Sequence, residues 1–461
     1  MKSVISILFA FYCLTLSGQI VFSEEGFSEL VKRNHPLAKQ ANLQPEIGES
    51  VLLKAKGGFD PKIYNQIDQK YFKGSQYYSM INSGLKLPTW YGIELKSGLE
   101  NNRGTNLSSQ NNTPNGGLWY GGVAVNLGQG LFIDQRRAEL FKARIFLQST
   151  LAEQQLQLNE LFYESGYTYW NWFLAYHSSL ILRESLDLAQ IRFNAIQRTV
   201  DLGDRPGIDS VEARIQVQIR QVLLQQFEAD LQNSKLKLAT FLWTENEEPL
   251  ELEEQTIPLQ KDSIAIQDPA EYRAMLNDSV LQAHPYLQIA NFKIETLEVE
   301  KRLKRENLKP QLNLQYNFLN EPVNYNPFDG MSINNYKWGL TFEMPLFLRK
   351  ERGELQLADL KLQSAEYQFD NTFAALNFKI KSSLVDLENV SAQLEIYSKT
   401  VLDTKTLLDA EKRMFENGES SLFLINVREM SYIQAQLKYI ELITKNQQAA
   451  IALKFALARL I

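Results

Sequence analysis

Apolar and polar residues alternate one by one in several short stretches of this chain. Leu312, Leu314, Tyr316 and Phe318 alternate with Gln311, Asn313, Gln315 and Asn317. Tyr336, Trp338, Leu340, Phe342 and Met344 alternate with Lys337, Gly339, Thr341 and Glu343. Earlier, Tyr91, Ile93, Leu95 and Leu99 oppose Gly92, Glu94, Lys96 and Gly98, and Trp119, Val123, Val125 and Leu127 oppose Tyr120, Ala124 and Asn126. A period of two predicts strands with one apolar and one polar face. Each strand group is followed by a Pro-free stretch whose ends lie 72 positions apart, Leu131 to Gly203 and Leu346 to Gly418. In the second stretch Phe373, Ile380, Leu387, Leu394, Val401, Leu408 and Phe415 recur at every seventh position, the seam of a coiled coil. At 1.5 Å per residue such a helix reaches about 108 Å, far beyond an ordinary globular helix.

The pattern repeats. His35-Pro36 recurs as His284-Pro285 and Pro61 as Pro310, both 249 positions later. Leu131-Phe132 recurs as Leu346-Phe347, Glu139-Leu140 as Glu354-Leu355 and Gly203 as Gly418, all 215 later. Five ordered matches on two offsets mark two structural repeats per chain. The expected first repeat is 19–243: helix 27–56, strands within 61–127, long helix 133–201, tip 202–208 and returning helix 209–243. The second is 269–461: helix 269–307, strands within 311–345, long helix 350–416, tip 417–421 and returning helix 422–460. Residues 244–268, with Pro249 and Pro258, connect them. Gly203 and Gly418 are the expected turn residues, since glycine tolerates positive φ. Gly207 and Ser420 belong to the same tips. Asp204-Arg205-Pro206-Gly207 is a breaker cluster, and Asp209 is the expected N-cap of the returning helix.

The change of offset leaves 34 extra residues in the first repeat, between Pro61 and Leu131. That is the size of one more hairpin of two membrane-length strands. Ile63, Ile67 and Tyr71 share a phase in 62–71, as do Tyr77, Ile81 and Leu85 in 77–85. Lys73-Gly74-Ser75 turns between them, and Pro88-Thr89 turns before the next strand. Six barrel strands per chain are favoured; since alternation is weaker in this segment, the alternative is four, with residues 62–86 outside the lipid.

Composition narrows the function. The 461 residues carry a net charge of −6, three His and one Cys. No basic block suits nucleic acid. So few His and Cys leave nothing for a zinc site, a disulfide framework or a thiol enzyme, and no cofactor or metal is expected. Gly128-Gln129-Gly130 lacks the third glycine of a dinucleotide fingerprint. His35 and His284, each followed by Pro, read as helix starts rather than catalysts. Residues 1–18 read as a signal peptide: Lys2, an apolar stretch Val4 to Leu16, then Ser17 and Gly18. Cys13 lies in that stretch and would leave with it.

The layout resembles the TolC-type family of outer-membrane efflux channels over essentially the whole mature chain. The resemblance rests on the two His-Pro pairs, the strand endings Leu131-Phe132 and Pro345-Leu346-Phe347, and the tips 203–209 and 417–422. It implies a mixed α and β membrane protein: a trimeric transmembrane β-barrel continued by a long α-helical periplasmic barrel of coiled-coil hairpins. It further implies a homotrimer in outer-membrane lipid, joined through a periplasmic adaptor to an inner-membrane pump, and no enzymatic activity. The family's barrel has twelve strands; six per chain would make eighteen. In the family, aspartates shortly after the second tip constrict the entrance. Here Gly418 is followed by Glu419, Leu424, Asn426 and Arg428, while the first tip carries Asp204, Arg205 and Asp209. Asp204, Arg205, Asp209, Asn426 and Arg428 are therefore the gate candidates, and Gly203, Gly207, Gly418 and Ser420 the tip turns that would meet the adaptor. A structural periplasmic coiled-coil protein without channel activity is the alternative reading.

Overall fold

The computed structural model describes residues 20–275, 281–321, 326 and 329–460. The expected signal peptide, with Cys13, lies outside the described residues. The first repeat opens with strand β1 (Ile20–Phe22) and helices α1 (Glu24–Asn34), α2 (Pro36–Asn42) and α3 (Gln44–Lys56). Strands β2 (Lys62–Phe72), β3 (Ser75–Pro88), β4 (Ile93–Arg103) and β5 (Leu118–Asn126) follow, then α4 (Gln135–Asp201) and α5 (Gly207–Ala239). Strand β6 (Thr256–Pro258) lies in the connector. The second repeat holds α6 (Pro269–Met275), α7 (Pro285–Glu306), β7 (Gln311–Asn320), β8 (Tyr336–Glu343), α8 (Arg349–Glu416) and α9 (Leu422–Ala456). No helix among the described residues is long and apolar enough to cross a membrane.

Two expectations are corrected here. The single helix expected at 27–56 is three helices, and that expected at 269–307 is broken before α7. Proline causes the breaks at His35 and His284, while Leu43, between α2 and α3, keeps a helical backbone (φ −79°, ψ −15°). Pro36 and Pro285 bar the preceding His from helical geometry, so His35 and His284 are extended at ψ 133° and 132°. Each imidazole then caps the next helix: His35 Nδ1 accepts from Leu37 N at 3.1 Å and His284 Nδ1 from Tyr286 N at 3.2 Å. The connector also holds a strand that the pattern did not suggest, with β1 and β6 pairing in parallel.

The chain forms two compact units. One gathers residues up to Ala41 with Gln155–Leu281 and Leu376–Ile461. Its core is aromatic: Phe27, Tyr169, Trp170, Trp172 and Phe173 are buried with Leu238, Leu394 and Ile443. The heptad residues Ile380, Leu387, Leu394 and Leu408 are buried, so that seam packs within the chain.

The other unit gathers Asn42–Gln154 and Gln282–Ala375. It holds one antiparallel sheet in the order β2-β3-β4-β5-β7-β8. The extra hairpin is β2–β3, turning at Lys73 (φ 53°) and Gly74 (φ 79°). Positive φ at both positions matches the right-handed twist of the strands. The register keeps apolar residues on one face of all six strands. One row runs Leu87, Leu95, Val123, Tyr316, Trp338. The opposite face is polar and concave: the hydroxyls of Tyr64 on β2 and Tyr120 on β5 meet across two intervening strands, and Tyr120 also bonds Asn82 at 2.9 Å.

Candidate functional site: the hairpin tips

Both tips end their long helices in the same way. At the first, Gly203 (φ 83°) donates to Val200 O and Asp204 N to Thr199 O, both at 3.0 Å. At the second, Gly418 (φ 81°) donates to Phe415 O at 3.0 Å and Glu419 N to Met414 O at 2.9 Å. These are the paired bonds of a Schellman cap, which satisfy the last carbonyls of a helix and need a left-handed residue. The returning helices start differently. Ser421 caps α9, its Oγ accepting from Leu424 N at 3.3 Å. The cap of α5 is Pro206, extended at φ −62°, ψ 143°.

Asp209 is therefore not the N-cap that the sequence suggested. The helix starts at Gly207, which is helical rather than part of the turn, and Asp209 falls in its first turn. There its carboxylate accepts from Arg205 at 3.4 Å, favourably placed at the helix N-terminus. The Arg205 guanidinium also lies over the Phe415 ring, 4.5 Å from its centroid, so the first tip rests on the end of the second long helix. Asp204 and Gly207 are exposed.

Around the second tip the candidates are tied down. Arg428 Nε is 3.5 Å from Glu411 Oε2, and Ser420 Oγ donates to the same carboxylate. Asn426 is buried; its amide donates to Glu212 Oε1 at 3.0 Å and its oxygen accepts from Arg192 at 3.3 Å. The structure thus joins Arg205 with Asp209, and Ser420 with Arg428 through Glu411. It brings Asn426 into a different group.

That group was not found from the sequence. Arg220 and Glu429 are 0% and 3% exposed and paired. Arg192 forms a two-pronged pair with Glu429 at 2.8 and 2.9 Å, and Arg220 donates to Ser185 O at 2.9 Å. Burial pushes the Glu429 carboxyl up, but the two guanidiniums outweigh it and hold it below its ordinary value. The cluster ties α9 to α4 and α5, one repeat to the other. A signal existed. Ala213, Val217, Arg220 and Leu224 are the buried seam of α5, and Leu422, Ile425, Glu429 and Ile433 belong to that of α9. Each charge occupies a seam position where the pattern calls for an apolar residue.

Among the described residues no cluster of His, Cys, Asp and Glu could hold a metal ion. Residues 276–459 match the family model described as Outer membrane efflux protein. No curated protein sequence matches the chain. Solved outer-membrane channels share its fold. The CmeC outer membrane channel of Campylobacter jejuni is 13% identical with a TM-score of 0.67, over 95% of this chain and 85% of that one. The outer membrane protein VceC of Vibrio cholerae is 14% identical with a TM-score of 0.65, over 94% and 96%. The open-state MtrE outer membrane channel of Neisseria gonorrhoeae is 14% identical with a TM-score of 0.66, over 94% and 88%.

Proposed function

We propose that this chain, an outer-membrane efflux protein by the match of its second repeat and by its fold, works as a homotrimeric passive exit duct. Its sheet lies in the outer membrane and its helices reach into the periplasm. The tips would meet a periplasmic adaptor and, through it, an inner-membrane pump, and the chain itself would catalyse nothing. The observation that carries this reading is the sheet: six strands with one mainly apolar face, one polar concave face and two open edges. Lipid does not tolerate open edges. The two edge strands, β2 and β8, are also the most exposed of the six. The strands alternate in direction, so β8 of one copy runs antiparallel to β2 of the next. Three copies then close eighteen strands. Barrel width grows roughly linearly with strand number, so the wall is about 1.5 times as wide as one of twelve. A wall that wide is flatter than the curl of one chain, and the Tyr64–Tyr120 contact parts on closure. A second support is Phe378, Val385, Ile396, Leu407 and Met414, exposed at spacings of 7 or 11 along α8. Such spacings keep one side of a helix, and a neighbouring copy would cover it.

Two measurements test this. The purified protein should require detergent and conduct ions in planar bilayers; a soluble, non-conducting trimer or monomer would favour the structural coiled-coil reading. In a Cys13→Ser background, Ile67→Cys should crosslink between copies to one of Trp338→Cys, Leu340→Cys or Phe342→Cys. Crosslinks from Leu95→Cys on β4 instead would mean a twelve-stranded wall with β2–β3 outside it.

A further inference from the structure

The register of the polar face lines up lysines. Lys62 pairs across the ladder with Lys86, Lys86 with Lys96, Lys96 with Gly122, Gly122 with Asn317, and Asn317 with Lys337. One cross-strand row over all six strands thus carries four lysines and no carboxylate. Like charges directly opposite each other destabilise a sheet. Here Lys86 faces a lysine on both sides, with neighbouring strands about 5 Å apart. What relieves the row is slight. Lys96 is 3.4 Å from Glu94, in the next row, and Lys86 lies 4.6 Å from the centroid of the Tyr64 ring. Within the curl of one chain Lys86, Lys96 and Lys337 line a hollow of about 250 Å³ with the donors Asn82, Asn317 and Tyr120 and one carboxylate, Glu100. A rule of sheet design broken three strands running marks a functional surface, and because it is a matter of register it survives the flattening that closure of the wall brings.

We propose that this row is an anion-binding stripe on the wall of the duct, and that the cargo class it favours carries phosphate, sulfate or carboxylate groups. An anion lying across adjacent strands would meet two or three ammonium groups at once, and the neighbouring amides and hydroxyls would donate to its remaining oxygens. The other lysine of this face, Lys70, pairs across the ladder with Tyr78 and stands away from the row. Asp68 lies toward that far end, whereas Glu100, two rows from Lys96 on the same face, lines the hollow with the lysines and offsets one of their charges.

The inference rests on the reading of the polar face as the lumen. The test is single-channel recording with tripolyphosphate added to the side of the barrel mouth. Wild type should show a block that weakens as salt rises. Lys86→Gln with Lys337→Gln should weaken it by about tenfold, the scale of one lost charged hydrogen bond, and shift the reversal potential in a KCl gradient toward cation preference. Lys86→Arg with Lys337→Arg should keep both, and Lys70→Gln should change neither. Unchanged block and reversal potential in the double Gln variant would overturn the stripe while leaving the duct intact. Equal loss in Lys70→Gln would overturn it too, reducing it to diffuse charge. A protein that does not conduct would instead overturn the duct.

Discussion

The carboxylate of Glu429 on α9 is held by the guanidinium of Arg220 on α5, deep inside the helical hairpins and with almost no access to water. A buried pair is weak evidence of net stability, but breaking one is costly because the survivor stays buried. Glu429→Gln leaves Arg192 and Arg220 facing each other without a counter-charge. We expect it to destabilise the helices by about 3 kcal/mol, read as a lower melting midpoint of the helical circular dichroism. Arg220→Met with Glu429→Met should be milder than Glu429→Gln. A double variant worse than that single change would show that the pair is not coupled.

Gly203 and Gly418 have positive φ and nothing within 4 Å of an added Cβ. The cost of Gly203→Ala is therefore backbone strain alone, about 1–2 kcal/mol, and Gly203→Asn should cost less. Faster proteolysis at the first tip in the Ala variant, with wild-type cutting elsewhere, is the expected result. Equal cutting of the Ala variant and wild type would mean that the Schellman cap does not hold the tip.

His177 is buried, its Nε2 2.9 Å from Leu259 O, and burial holds its pKa below the ordinary 6.5, as it does for His35. A lowered folded pKa means that the folded state binds the proton less well than the unfolded one. Stability is then fully present above pH 6.5 and falls as the pH drops through the folded values. The melting midpoint should decline below about pH 6, and His177→Asn should flatten that decline. A decline as steep in His177→Asn would place the titration elsewhere.

Arg428, Glu411 and Ser420 form one chain of contacts at the second tip, and Arg205 with Asp209 another at the first. If these restrain the mouth, Asp209→Ala with Arg428→Ala should raise single-channel conductance and weaken its block by cations. Wild-type conductance and block in that variant would reduce both contacts to solvated tip charges.

Adaptor contact should be confined to the tips. Gly207→Cys or Ser420→Cys, in a Cys13→Ser background, should trap an adaptor by disulfide. Trapping only from Gln393→Cys, far along α8, would reject the tips as the docking point.

The sequence by itself determined the repeat, the long helices, the two glycine tips and the alternating strands. Each is written in local periodicity or in one residue's backbone freedom. It also held the 34-residue insertion that became β2–β3. The breaks at His35 and His284 were equally local, in the His-Pro pairs, but the helical period ran on through them and hid the stop. Only tertiary structure decided the rest. The helix α5 starts two residues before Asp209, at Gly207 after the extended Pro206, and Asp209 in its first turn pairs with Arg205. Arg192, Arg220 and Glu429 come from three helices, up to 237 positions apart, and their meeting depends on how the hairpins pack. The row of lysines exists only in the register. A period of two fixes which face each lysine takes, but hydrogen bonding between strands fixes which lysines stand level.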